Sequence, residues 1–138
     1  MDSSSKIIIV DDNLLYREGM KFLIEMEGMG KVIAEAANGQ VFLDILEDHI
    51  PDLVLMDIDM PVMGGLEASI KAMALRPYLK ILVLTMMCGT KEFADLANAG
   101  VMGFVLKTSG KQTIEEAIKT VIAGDCFFSN EILHQINK

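Results

Sequence analysis

Five short apolar runs, at residues 6–10 (KIIIV), 32–36, 53–56, 81–84 and 101–106, are separated by stretches in which apolar residues recur at helical spacing. Each run is too short for a buried helix and reads as a strand, and Leu53 to Met56, with no polar face, suits a strand covered on both sides. Strands that alternate with helices are joined by crossover connections, which makes the sheet parallel and the fold α/β. The spacing predicts a first helix over about 13–27, with Leu15, Gly19, Phe22, Leu23 and Met26 as its repeat and Gly28 to Gly30 as its stop. A second runs over about 40–48 after the Asn38-Gly39 turn, with Phe42, Ile45 and Leu46 inward and His49 serving the terminal carbonyls. Leu66, Ile70 and Met73 mark a third, closed by Arg76-Pro77. The fourth, with Thr90 as its cap, turns Phe93, Leu96 and Ala97 inward. The last carries Ile114, Ala117, Ile118, Val121 and Ile122, and Ser109 with Gln112 form its capping box. No repeat or linker interrupts the pattern before Gly124, so residues 1–124 are expected to be one domain with a frayed start at Met1–Ser5.

A parallel sheet delivers the carboxyl ends of its strands to one edge, where ligands of open α/β sheets bind. The first run ends in Asp11-Asp12, the third in Asp57, the fourth in Thr85 and the fifth in Lys107. Singly, each has an ordinary explanation. One of Asp11, Asp12 and Asn13 would cap a helix, and Asp57 could open the turn made by Met60-Pro61 and Gly64-Gly65. Together they line one crevice. Clustered carboxylates are hard oxygen donors that suit Mg²⁺, which takes one or two carboxylates plus phosphate oxygens. A hydroxyl and an ammonium opposite them suit the remaining oxygens of a phosphoryl group. The expected chemistry is phosphoryl transfer onto a carboxylate.

Composition removes several other classes. Twenty acidic against twelve basic side chains leave a net charge of -8, so direct binding to nucleic acid is not expected. No apolar run approaches membrane-spanning length, so no membrane partner is expected. Cys88 and Cys126 fit no metal spacing and nothing resembles a signal peptide, which points to a reducing cytoplasm. The eleven methionines read as core filler.

Asp11-Asp12, the D-x-x-M-P-x-x-x-G pattern from Asp57 to Gly65, Thr85 and Lys107 resemble, in order and spacing, the receiver domain of a two-component response regulator. The resemblance covers nearly all of residues 6–124. It implies a doubly wound five-stranded parallel sheet of order 2-1-3-4-5, the flavodoxin-like receiver fold. It also implies that Asp57 takes a phosphoryl group from phosphohistidine on a sensor histidine kinase or phosphotransfer protein. Asp12 and Asp57 would bind Mg²⁺ directly and Asp11 through water, with the backbone carbonyl of Asp59 as a further ligand. Thr85 and Lys107 would hold phosphoryl oxygens, and Thr85 with Phe104 would form the switch. Such a domain assists its own phosphorylation and dephosphorylation without being a conventional enzyme, and it can homodimerise.

Three positions depart from the commonest pattern. Thr108 stands where many receivers have a proline, often cis; Met86 is bulkier than the usual small residue; Phe104 lacks the hydroxyl of the more frequent tyrosine. The sequences AGDCFFS at 123–129 and VMGFVLK at 101–107 are similar to regulators of the LuxR or NarL type. That similarity implies that residues 125–138 begin a linker towards a helix-turn-helix output domain not present in this chain, through which alone DNA would be bound. A stand-alone receiver with a short extra helix is the alternative. Asp57-Ile58-Asp59 also resembles the D-x-D nucleophile of haloacid-dehalogenase-type phosphatases, but those carry it after the first strand. An interaction module of the same fold would commonly lack one reacting group. A flavodoxin-like flavin binder would need a Ser/Thr-rich loop where Asp11-Asp12-Asn13 stands.

Overall fold

The structure, a computed structural model, describes residues 5–136, so residues 1–4 of the expected frayed start and the last two residues of the tail lie outside the described residues, while Ser5 is buried with its carbonyl accepting the Lys31 N–H at 2.8 Å. Its strands are β1 (Lys6–Val10), β2 (Lys31–Ala36), β3 (Leu53–Met56), β4 (Ile81–Thr85), β5 (Gly103–Leu106) and β6 (Phe127–Phe128). The helices are α1 (Leu14–Met26), α2 (Gly39–Leu46), α3 (Gly65–Leu75), α4 (Thr90–Ala99), α5 (Lys111–Ile122) and α6 (Asn130–Ile136). Every strand pair is parallel, in the order β2-β1-β3-β4-β5-β6. The first five strands follow the expected order, and the expected count of five is corrected to six. Phe127 and Phe128 pair with Gly103 and Phe104, because β5 would otherwise present an unpaired edge. Two residues are too few to show any periodicity in sequence.

Alternate residues of each strand feed two cores. Ile7, Ile9, Leu53, Leu55, Leu82, Leu84 and Val105 face α1 and α5, packing on Met20, Ile24, Ala117, Ile118 and Val121. Ile8, Val10, Val54, Met56, Ile81, Val83 and Phe104 face the other way, onto Phe42, Leu46, Ala68, Ala72, Leu96 and Ile132 of α2, α3, α4 and α6. This is the doubly wound arrangement, and it leaves the strand ends uncovered.

Two helices turn a different face inward from the one their sequence suggests. In α1 the buried side chains are Met20 and Ile24, while Leu15, Phe22 and Met26 are exposed. That helix carries two apolar stripes, and only contact with the sheet chooses between them. In α3 the buried face is Gly65, Ala68, Ser69 and Ala72, and Ile70 is exposed. Small residues let α3 lie close on the sheet, while Leu66 and Met73 pack half-buried at the core's margin. Helix α5 buries the expected stripe but begins after Gly110, whose φ is +94°, with no side-chain cap bond at that residue. Lys107–Ser109 forms a 3₁₀ turn immediately before it. Helix α4 is likewise capped by Gly89, whose N–H donates to Glu92 Oε1 at 3.3 Å, and not by Thr90. The His49 ring does meet the Ile45 carbonyl at 2.9 Å.

Candidate functional site

The ladder between β1 and its neighbours runs one residue past the strand ends. The Asp11 N–H donates to the Ala36 carbonyl and the Asp57 N–H to the Val10 carbonyl, both at 2.9 Å. Those bonds hold the two carboxylates side by side at the sheet edge. Asp11 and Asp57 are buried and Asp12 is exposed, and one carboxylate oxygen from each lies within 4.8 Å of the others. Two buried carboxylates this close repel each other and need a cation. Lys107 supplies one: its Nζ lies 2.6 Å from Asp11 Oδ2 and 3.4 Å from Asp57 Oδ2.

The Asp57 carboxyl sits above its ordinary range, chiefly because burial disfavours its charge. The Lys107 ammonium opposes that shift, the Asp11 charge adds to it, and the Ile58 N–H, which donates to Asp57 Oδ1 at 2.8 Å, opposes it. The group is therefore a carboxylate poorly compensated by protein alone. A divalent cation fits a set of two buried and one exposed oxygen donors, because it would supply the missing positive charge.

The surrounding chain holds these groups rigidly. Asp11 Oδ1 accepts the Asn13 N–H at 2.9 Å, and Asn13 Oδ1 in turn caps α1 by accepting the Tyr16 N–H at 3.0 Å. Asn13 is thus the cap among the three candidates. The Arg17 guanidinium donates to the Asp11 carbonyl at 2.6 Å while Nε pairs with Glu35 at 3.0 Å. After Asp57 the loop folds back so closely that a Cβ on Gly65 would lie 2.0 Å from the Asp57 carbonyl oxygen, so only glycine fits there. Val62 in the same loop takes φ +70°, an unfavourable conformation for a β-branched residue.

The remaining predicted residues divide. Asp59 lies two residues beyond Asp57, and its exposed side chain stands outside the carboxylate cluster. Thr85 is buried at the end of β4, and its hydroxyl donates to the Met87 carbonyl at 3.0 Å. Met86 is exposed beside it, and among the described residues no peptide bond is cis, the Lys107-Thr108 bond included. Phe104 is fully buried, with the Phe93 ring 4.6 Å away and the Phe128 ring 5.9 Å away. Sequence reasoning missed Tyr16, whose ring centroid lies 4.3 Å from Lys107 Nζ. Its place one turn into α1, after the acidic pair, was the available signal.

Comparison with known proteins agrees with this geometry. The family description response regulator receiver domain matches residues 7–119. Transcriptional regulatory protein DegU of Brevibacillus brevis is 31% identical over 99% of this chain and 58% of its own length. Response regulator GacA of Pseudomonas aeruginosa is 36% identical over 95% of this chain and 61% of its own length. The chain thus spans about three fifths of these curated relatives. Among solved structures, a LuxR-family two-component response regulator from an Aurantimonas species superposes with a TM-score of 0.90. It is 32% identical, covering 98% of this chain and 96% of that one. A receiver domain protein from Methanospirillum hungatei gives 0.81 at 30% identity, over 88% and 95% of the two chains. This chain belongs to the response regulator receiver domains, the phosphoacceptors of two-component signalling, and its relatives include regulators of the LuxR and NarL type.

Proposed function

We propose that Asp57 is the phosphoacceptor, that Asp11, Asp12 and Asp57 hold Mg²⁺, and that Thr85 and Lys107 receive the phosphoryl oxygens. The observation that carries this is the buried Asp57 carboxylate at the sheet edge, with Asp11, Asp12 and the Lys107 ammonium gathered around it. An oxygen of Asp57 attacks phosphorus as the phosphohistidine N–P bond breaks, and the electron pair leaves on the imidazole nitrogen. Asp12 and Asp57 would ligate the cation directly and Asp11 through water, with the Asp59 backbone carbonyl as a further ligand. The cation supplies charge neutralisation at the phosphoryl oxygens.

The chain would assist this reaction by orientation and charge, so a small phosphodonor is expected to replace the kinase. Lys107 already bridges towards Asp57 and needs little movement to meet a phosphoryl oxygen. Thr85 would exchange its bond to the Met87 carbonyl for one to the phosphoryl group, and Phe104 would respond as the loop moves. A sensor histidine kinase or phosphotransfer protein is the donor, and the receiver works in the cytoplasm. Residues 1–124 form the receiver and 125–138 lead towards a helix-turn-helix output domain, through which DNA is reached and self-association is controlled. The greater length of the DegU and GacA relatives supports this.

The test is intact-mass spectrometry after incubation with Mg²⁺ and acetyl phosphate. One phosphoryl group is expected, labile to base and hydroxylamine, and Asp57→Asn should abolish it. Equal labelling of the Asn variant refutes the assignment.

A further inference from the structure

Three neighbours surround the Lys107 ammonium: the Asp11 carboxylate at 2.6 Å, the Asp57 carboxylate at 3.4 Å and the face of Tyr16, 4.3 Å from the ring centroid. The lysine side chain is 11% exposed, so little water competes, and a desolvated ammonium over an aromatic face is held more firmly than one at an open surface. Tyr16 reaches this place through the acidic loop itself. Asp11 Oδ1 takes the Asn13 N–H, and Asn13 Oδ1 takes the Tyr16 N–H, so the Asp11 carboxylate and Tyr16 belong to one hydrogen-bonded turn. Among the described residues the buried Tyr16 hydroxyl has no hydrogen-bond partner, so the ring face is what Tyr16 offers the site. Burial, with the charges of Asp11 and Asp57, keeps that phenol protonated and the ring neutral.

Building on the assignment of Asp57 as phosphoacceptor, we propose that Tyr16 is a positioning residue for Lys107, its ring face holding the ammonium where the phosphoryl oxygens arrive. The two kinds of partner are not equivalent. Carboxylate oxygens of Asp11 and Asp57 are the same atoms that a divalent cation would claim, and phosphorylation converts the Asp57 carboxylate into an acyl phosphate. The ring face is claimed by neither. Lys107 therefore keeps one fixed neighbour when its carboxylate contacts change, and less reorganisation is left for the transfer itself.

The experiment pairs a spectroscopic readout with a kinetic one. In protein labelled with ¹³C-lysine, the Lys107 ε-methylene signal is assigned by its loss in Lys107→Arg. It is expected to carry an upfield ring-current shift in the parent and in Tyr16→Phe, with and without Mg²⁺, and to lose it in Tyr16→Leu. The rate of labelling by acetyl phosphate at saturating Mg²⁺ should fall about two- to thirty-fold in Tyr16→Leu and recover in Tyr16→Phe. Tyr16→Met, which also lacks a π face, takes the place of the Leu variant should that fail to fold. Parental rates in the Leu or Met variant overturn the proposal, as does a loss that Tyr16→Phe shares, which would place the role in the hydroxyl. Labelling of Asp57→Asn would instead refute the phosphoacceptor assignment on which the proposal stands.

Discussion

At Asp57, burial lifts the carboxyl above its ordinary 3.8, and Lys107 only partly opposes this. A carboxyl raised in the folded state contributes most below its unfolded value and loses that contribution as pH rises through the folded one. At neutral pH without metal, Asp57→Asn is therefore expected to be more stable than the parent, and the gain should vanish below pH 3.8. Urea midpoints measured across that range decide it, and equal midpoints at neutral pH would contradict the sign. Asp12 is exposed and Asp11 is already engaged with Lys107 and the Asn13 N–H, so their losses should differ. Asp12→Ala is expected to weaken Mg²⁺ binding by about ten-fold or more and Asp11→Ala by less, read by calorimetric titration.

The elements at the β5 edge are held by three aromatic rings. Phe93 of α4 and Phe128 of β6 pack on Phe104 of β5, and the Phe93 and Phe128 rings are themselves 5.9 Å apart. The chain there is tied by backbone as well: Phe127 N–H donates to the Met102 carbonyl at 2.9 Å and Ser129 N–H to the Phe104 carbonyl at 3.0 Å. Ser129 Oγ then accepts the Ile132 N–H at 3.3 Å, opening α6 with Ile132 in the core. The C-terminal segment therefore rests directly on Phe104, the residue proposed as the switch. Phe128 is half-buried, so Phe128→Ala should cost about 2 kcal/mol and speed amide exchange across β6 and the end of β5. Exchange accelerated equally over β1 and β2 would show that β6 is not a separable unit.

For the molecule as a whole, the site and the tail lie on neighbouring strands of one sheet. Thr85 ends β4, Phe104 lies in β5, and β6 continues the sheet from β5. A phosphoryl group that draws in the Thr85 loop must break the bond from its hydroxyl to the Met87 carbonyl, and Phe104 on the neighbouring strand is buried against Phe93 and Phe128. Movement there can pass to Phe128 without crossing solvent. A coupling of roughly 1–3 kcal/mol corresponds to an affinity change of about five- to hundred-fold in any associating surface. Phosphorylation is expected to shift amide signals from Phe104 to Ser129 and to alter sedimentation. Thr85→Ala should still be phosphorylated but lose both responses; spectra changed only beside Asp57 would contradict this route.

Sequence alone determined the strand ends. Apolar runs at residues 6–10, 53–56 and 81–84 could only be buried strands, and crossover connections then forced Asp11, Asp12, Asp57, Thr85 and Lys107 onto one edge. That inference needs only local pattern and chain connectivity. Tertiary structure decided what local pattern leaves degenerate. Helix α1 offers two apolar stripes and the sheet accepts the one with Met20 and Ile24, while α3 buries alanines because close approach gains more contact than large side chains would. Strand β6 exists because β5 had an edge to fill, and the partners of the Thr85 hydroxyl and the Lys107 ammonium were set by side chains distant in sequence or by loop geometry. Tyr16 belongs to that second class: its ring meets Lys107 across 91 positions of chain, a distance no local periodicity can report.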